Sequence, residues 1–207
     1  MKKFSTGAAA RRSWRSRAQG GIALITALLV LLGVSMLALG IARIAFDAER
    51  AARAERDRQM ALQAAEAGLL DAERDIEGGA NPLSARAAMF GREAGAGFVA
   101  GCGRDAVNLG LCAFVPGAVP AWQLAEADAA TPYGTYTGAT FPAGGPLPLS
   151  PPRYLIELLP SVRAGEDAGK ARQAVFRITA FGYGARPGTL VVLQSVYRGA
   201  GSGAGQT

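Results

Sequence analysis

The sequence predicts an α+β fold in which a long N-terminal helix packs on a small antiparallel β-sheet, with a loop-rich segment between them. Three observations predict it. Residues 22–42 form a run of twenty-one residues without a charge, and residues 43–77 continue it with no proline and one glycine. Residues 78–150 then contain 13 glycines and 7 prolines. Residues 151–198 hold three segments rich in β-branched and aromatic residues, which is typical of strands.

Residues 22–42 are expected to cross a membrane as a helix. At about 1.5 Å per residue the run spans roughly 31 Å, the thickness of a bilayer's hydrocarbon core. The leader, residues 1–21, holds six basic residues and no acidic one. Such a flank places the N-terminus in the cytoplasm and the later residues in the periplasm. A removed signal peptide is the alternative, but its apolar region is usually shorter, about 7 to 15 residues.

The positive charge of the chain belongs to the leader alone. The whole chain carries 22 basic and 16 acidic residues, so subtracting the leader's six leaves 16 of each. The part that folds has no net positive field to offer phosphates. We therefore expect no direct contact with nucleic acid.

Cys102 and Cys112 lie on the exported side of the predicted membrane helix, where oxidation is permitted. A bridge between them closes an eleven-residue loop, which stabilises a fold by about 3 kcal/mol in the chain-entropy model. The chain has no CxxC motif and no histidine. This favours a stabilising disulfide over a redox or metal role, and predicts no metal, no cofactor and no enzyme of the histidine-dependent kinds.

The polar part of the helix carries one narrow apolar stripe at heptad spacing. Leu62, Leu69 and Ile76, with Ala65 and Ala72 between them, recur three and four residues apart. We expect Leu62, Leu69 and Ile76 to make the helix–sheet packing. Charged pairs such as Asp47 with Arg50 are expected to add a few tenths of a kcal/mol each.

Residues 78–150 are predicted to form an irregular, loop-rich lobe with the disulfide and one short helix between Pro82 and Phe90. Residues 151–198 are predicted to form an antiparallel sheet of three or four strands. In the second strand Phe176, Ile178 and Ala180 alternate with more polar residues, which indicates a half-buried strand. Pro187-Gly188 suits the centre of a type II turn before the last strand, and residues 199–207 are expected to be a flexible tail.

Three segments resemble the PilX family of type IV pilus minor pilins. They are the basic leader ending in Gly20-Gly21 with the apolar run ALITALLVLLGVSMLALGIAR, the segment RDRQMALQAAEAGLLDAE, and the hairpin FRITAFGYGARPGTLVVLQSVYR. The resemblance implies a pilin-like fold, cleavage by prepilin peptidase between Gly21 and Ile22, and methylation of the new N-terminus. It covers about half of the chain and leaves out the loop-rich lobe.

Thr26 departs from the general pilin pattern. It is position five of the predicted mature chain, where ordinary pilins carry a glutamate that is taken to pair with the N-terminal amine of a neighbouring subunit. A threonine cannot form that ion pair, and its presence fits a subunit at the fibre tip. The alternative is an ordinary membrane residue whose hydroxyl bonds to its own helix.

The resemblance implies a structural subunit that starts fibre assembly with other minor pilins, the major pilin and a tip adhesin. Its expected locations are the inner membrane and then the pilus at the cell surface. A tip pseudopilin of a type II secretion system is one alternative. Another is an uncleaved, membrane-anchored enzyme or sensor, whose candidate carboxylates are Glu126, Asp128, Glu166 and Asp167.

Overall fold

The computed structural model describes residues 21–91, 95–124, 129–142, 148–160 and 174–198. The chain divides into two compact units, Met1–Ala51 and Ala52–Thr207, and we call the second unit the head. Of the predicted leader only Gly21 is described, and the predicted tail, residues 199–207, lies outside the described residues. The α+β, pilin-like fold class is confirmed, with a long N-terminal helix packed on a small sheet.

The first helix, α1, runs from Ile22 to Ile76 and ends one residue before the predicted boundary. The loop-rich lobe contains only short elements. These are helix α2 (Ala85–Ala88), strand β1 (Leu111–Ala113), helix α3 (Ala121–Leu124) and strand β2 (Thr131–Pro132). The predicted short helix between Pro82 and Phe90 is confirmed by α2, whose first turn is capped by the Ser84 hydroxyl accepting from the Ala87 N–H.

The three long strands are β3 (Arg153–Leu159), β4 (Val175–Tyr183) and β5 (Leu190–Arg198), in the segments that the sequence predicted. The sheet has five strands, and its main path is β1-β3-β4-β5. Strands β3, β4 and β5 are antiparallel, and β2 pairs antiparallel with β3. The sheet is nevertheless mixed, because β1 runs parallel to β3. That pairing joins distant parts of the chain and leaves no periodic signal in either.

The turn between β4 and β5 has Pro187 and Gly188 at its centre, as predicted. The Thr189 N–H donates to the Arg186 carbonyl over 3.2 Å, which closes the turn. Gly188 has φ of +92°, a conformation that the second central residue of a type II turn requires and that glycine adopts without strain.

Two apolar clusters lie on opposite faces of the sheet. The first joins α1 to the inner face and contains Ala72, Ile76, Phe98, Leu111, Tyr154, Ile156, Phe176, Ile178 and Ala180. The second, on the outer face, contains Cys102, Cys112, Ala129, Ala130, Leu155 and Phe181. Strand β4 therefore differs from the predicted half-buried strand. Its outward residues Thr179 and Phe181 are also buried, because the lobe covers that face.

Candidate assembly surface

The N-terminal part of α1 presents apolar side chains in every direction. Every residue from 22 to 42 is exposed, and Ile22, Leu31 and Leu37 keep 76%, 69% and 68% of their surface. Such a continuous apolar surface marks a site that lipid or protein covers. Within the described residues this is the one helix long and apolar enough to cross a membrane. It fits a membrane anchor, and we call residues 22–42 the membrane segment.

The residues of the predicted cleavage site lie at the start of α1. Gly21 immediately precedes the helix, and its carbonyl accepts from the Ile25 N–H over 3.4 Å. The Thr26 hydroxyl donates to the Ala23 carbonyl over 3.0 Å. The hydroxyl is thus satisfied by its own helix, which removes the cost of placing it in lipid. The segment carries no side chain that could neutralise a neighbouring amine.

The C-terminal part of α1 packs on the sheet through small side chains. Ala61, Ala65 and Ala72 have no exposed surface. A Cβ atom placed on Gly182 of β4 would lie 2.0 Å from the Ala61 carbonyl oxygen and 2.3 Å from the Ala65 nitrogen. The two backbones therefore approach so closely that only glycine fits at that point.

This close approach corrects one predicted packing residue. Leu62 is 37% exposed, because the helix turns Ala61 and Ala65 toward the sheet and the bulkier neighbour away from it. Leu69 is half-buried against the inner cluster, and Ile76 is part of that cluster. The contact is centred on alanine and glycine, and the leucines lie at its margin.

Three carboxylates share the buried face of α1 with these small residues. Asp57, Asp71 and Asp75 are each less than 7% exposed. They lie 14 and then 4 residues apart, which at about 3.6 residues per turn brings them to one side of the helix. Buried carboxylates are costly unless they are hydrogen-bonded or paired. Each of the three has partners in a different loop or strand of the head.

Asp57 holds the β4–β5 turn. Its Oδ1 accepts from the Ala185 N–H over 2.6 Å, and its Oδ2 accepts from the Thr189 hydroxyl over 2.6 Å. The Arg186 Nε lies 3.8 Å from the same Oδ2. The Thr189 hydrogen bond lowers the pKa of Asp57, although burial opposes that shift. The carboxylate is therefore held in its charged form.

Asp71 holds the loop that follows β2. Its Oδ2 accepts from the Gly134 N–H over 2.7 Å, and its Oδ1 accepts from the Thr137 hydroxyl. Both oxygens are satisfied although the residue is fully buried. The loop that follows β2 is thereby fixed to α1.

Asp75 and Arg86 form a buried ion pair. The Arg86 Nη2 lies 2.6 Å from the Asp75 Oδ2, and its Nε is 3.2 Å from both carboxylate oxygens. The Arg86 Nη1 donates to the carbonyls of Val107 and Leu109 over 3.1 and 2.9 Å, and the Tyr154 hydroxyl donates to Asp75 over 3.0 Å. One pair therefore joins α1, α2, the loop before β1 and strand β3.

Aromatic rings lie beside this buried pair. The Arg86 guanidinium lies 4.0 Å from the ring centre of Tyr136 and 5.2 Å from that of Phe90, both within cation–π range. Burial raises the pKa of Asp75 while Arg86 opposes the shift, and burial beside Asp75 raises the pKa of Tyr154. An arginine is suited to this position because it stays charged and donates in several directions.

The disulfide between Cys102 and Cys112 is formed, with its sulfur atoms 2.06 Å apart. Both cysteines are buried in the outer cluster against Leu155 and Phe181. It joins the segment before β1 to β1 itself and fixes the lobe to the outer face of the sheet. This agrees with a stabilising role.

The sequence did not predict that Asp57, Asp71, Asp75 and Arg86 are buried. A signal for the acids existed in their spacing, since they fall on the same helical face as the alanines. Arg86 has no such signal, because its partners lie on distant segments. The carboxylates suggested for an anchored enzyme, Glu126, Asp128, Glu166 and Asp167, lie outside the described residues. In the part of the chain that the structure describes, no three metal-ligating side chains come together.

Two family models match the chain over most of its length. The model described as PilX N-terminal matches residues 20–70, and the model described as Type IV pilus assembly protein PilX C-term matches residues 84–199. The second match alone spans more than half of the 207 residues. No curated protein and no solved structure matches the chain significantly. The chain belongs to the PilX family of type IV pilus assembly proteins.

Proposed function

We propose that this protein is a minor pilin that is cleaved between Gly21 and Ile22, waits in the inner membrane, and then enters a type IV pilus. The single observation that carries the proposal is the contrast along α1. Its first part is apolar and exposed on all sides. Its last part packs on the sheet, and three buried carboxylates bind it to the surrounding loops and strands.

This contrast supports a role that depends on packing and needs no catalysis. The membrane segment loses little when it leaves lipid for the apolar centre of a fibre, since both surroundings exclude water. As a PilX-family protein, the chain acts together with other components of the pilus machinery. The family match favours a pilus over the type II secretion alternative.

Within the fibre we assign the protein to the tip, where it starts assembly with other minor pilins, precedes the major pilin and carries a tip adhesin. Thr26 supports this position. It offers no carboxylate to the amine of an adjoining subunit, and its hydroxyl is already bonded to Ala23. A subunit at the tip has no earlier neighbour whose amine must be neutralised, so replacing the glutamate by Thr26 does not weaken its packing.

Orientation follows from the leader. Its six basic residues keep the N-terminus in the cytoplasm, and the head with its disulfide then folds in the periplasm. Prepilin peptidase removes the leader from the cytoplasmic side, and the new N-terminus is methylated.

The test is the substitution Gly21→Leu in cells that make pili. We expect the variant to stay at its full-length mass, while the control Gly20→Ala is processed to a chain that begins at Ile22. Normal processing of Gly21→Leu would reject the proposal. An anchored enzyme or sensor is distinguished by the same mass measurement, because it would keep residues 1–21 in the unmutated protein.

A further inference from the structure

Arg43 follows the membrane segment directly. Residues 22–42 already span roughly 31 Å as a helix, which is the thickness of a bilayer's hydrocarbon core. Arg43 is therefore the first residue beyond the hydrocarbon, at the level of the headgroups on the exported side, which we call the outer leaflet. The rule that orients membrane helices favours cations on the cytoplasmic side, so orientation does not explain this arginine.

No described side chain neutralises Arg43. The usual partner on a helix is an acid one turn later, which here is Asp47. The Asp47 Oδ1 instead lies 4.0 Å from the Arg50 Nη1, and no hydrogen bond or ion pair joins Arg43 to the part of the chain that the structure describes. The leader carries six basic residues and no acidic one, so it offers no counter-charge. The charge of Arg43 is available to an anion from outside the chain.

The side chains next to Arg43 are apolar and continue the exposed surface of the membrane segment. Ile44 and Phe46 keep 70% and 64% of their surface. They lie two positions apart, which at about 100° per residue places them on nearly opposite sides of the helix. A single protein surface covers one side of a helix, whereas lipid surrounds it. The occupant that continues past Arg43 is therefore lipid.

Distances along the helix place these side chains in the headgroup layer. A bilayer has about 5 to 7 Å of interface on each side of its hydrocarbon core. At about 1.5 Å per residue, Phe46 lies roughly 4 to 5 Å beyond Arg43 and so within this layer. Side chains on a helix lean toward its N-terminus, which directs Phe46 back toward the lipid chains. Asp47 is the first acidic residue of the chain and begins its charged part. The contact with lipid therefore extends from residue 22 to residue 46.

We propose that Arg43 binds the phosphate of an anionic phospholipid in the outer leaflet, while Ile44 and Phe46 pack against the same lipid layer on the two sides of the helix. A guanidinium suits a phosphate, because its planar fork of N–H groups donates two parallel hydrogen bonds. Its aliphatic stem packs on apolar surface while its charge stays among the headgroups. The site holds the helix at one depth in the membrane. The inference rests on the proposed function, because that function has the protein wait in the membrane.

The experiment measures which lipid lies beside Arg43 in vesicles that contain the full-length protein. The vesicles consist of uncharged, phosphate-free galactolipid with a minor share of brominated phosphatidylglycerol, whose bromine atoms quench a nearby fluorophore. The two cysteines of the chain are joined to each other, so one new cysteine carries the fluorophore alone. Leu39→Cys places it one turn before Arg43 on the same side of the helix, and the control Ile41→Cys places it on the opposite side. Leu39 and Ile41 are 66% and 68% exposed.

We expect phosphatidylglycerol to be selected over galactolipid at position 39 about fivefold, equivalent to about 1 kcal/mol, and to be selected less at position 41. Arg43→Gln removes this selection, and Arg43→Lys keeps most of it because the charge is retained. The matched control is Arg50→Gln, which leaves the selection at position 39 unchanged. Arg50 is 84% exposed, is paired with Asp47, and lies about 10 Å further along the helix.

A second measurement tests the depth of Phe46. The cysteine of Phe46→Cys should react with a membrane-impermeant maleimide more slowly than that of Ala51→Cys, when each rate in vesicles is divided by the rate of the same variant in detergent. Equal ratios would overturn the inference, as would equal selection at positions 39 and 41 or selection that survives Arg43→Gln. A chain that does not float with the vesicles would overturn the membrane stage of the proposed function. A chain that floats with them but does not select phosphatidylglycerol overturns this inference alone.

Discussion

Helix α1 packs on strand β4 where Ala61 and Ala65 meet Gly182, and we call this contact the seam. It can be tested by adding one carbon atom. In Gly182→Ala the new Cβ would lie 2.0 Å from the Ala61 carbonyl oxygen, 2.3 Å from the Ala65 nitrogen and 2.8 Å from the Ala65 Cβ. Non-bonded carbon atoms prefer about 3.5 to 4.0 Å. Two of the three obstacles are backbone atoms, so no side-chain rotation relieves the clash. The helix must move off the strand by about 1 Å or more.

Overpacking of this kind costs about 1 to 3 kcal/mol and occasionally more, and we expect a value near the upper end. For a protein of this size, about 3 kcal/mol lowers the melting temperature by about 6 to 12 °C. The assay is thermal and urea unfolding of the full-length protein in detergent, followed by near-ultraviolet circular dichroism of the head.

The matched control is Gly68→Ala, at the same seam but on the helix. Its Cβ would lie 3.3 Å from the Cβ atoms of Ala180 and Pro152, and alanine favours a helix over glycine by about 1 kcal/mol. The two effects oppose each other, so we expect a change below about 1 kcal/mol. If Gly182→Ala were as stable as Gly68→Ala, the close helix–strand contact described here would be wrong.

Three further changes test the buried groups of the head. Arg86→Met leaves Asp75 buried without its cation, so we expect the free energy of unfolding to fall by about 3 to 5 kcal/mol in urea titrations; a loss below 1 kcal/mol would contradict the ion pair. The hydrogen bond from Thr189 lowers the folded-state pKa of Asp57 below its unfolded-state pKa. The ionised Asp57 therefore stabilises the fold fully above the unfolded-state pKa, and this stabilisation is lost as pH falls through the lower folded-state value. Unfolding midpoints should therefore fall more steeply below about pH 4 in the unmutated protein than in Asp57→Asn, and parallel curves would refute this. Replacing both cysteines by serine should cost about 3 kcal/mol, measured against the oxidised protein, and equal stability would show that the bridge contributes nothing.

Local patterns predicted the elements of this fold well. An uninterrupted apolar run, the absence of proline and a glycine-rich boundary placed α1 to within one residue at its end. Alternation and β-branched content placed the three long strands, and Pro187-Gly188 placed their last turn. These features depend on neighbours within a few residues, and a sequence records such neighbours directly.

The seam was harder to predict, because the largest side chains do not make it. Heptad spacing predicts that Leu62 contacts the sheet. The backbones of α1 and β4 lie so close together that Ala61 and Ala65 make the contact instead. The acids on the same face look solvent-exposed in a sequence, since Asp71 and Asp57 find their partners in loops 63 to 132 residues away and Asp75 is buried against Arg86 of α2 and Tyr154 of β3. The parallel pairing of β1 and the burial of Phe181 on the outer face are non-local for the same reason.

The direct test of the whole account is the mass of the protein recovered with sheared fibres from piliated cells. We predict a chain that begins at Ile22, carries one added methyl group on its N-terminus and retains the disulfide. A protein that begins at Met1, or that stays in the membrane fraction and is missing from the fibres, would contradict the assignment.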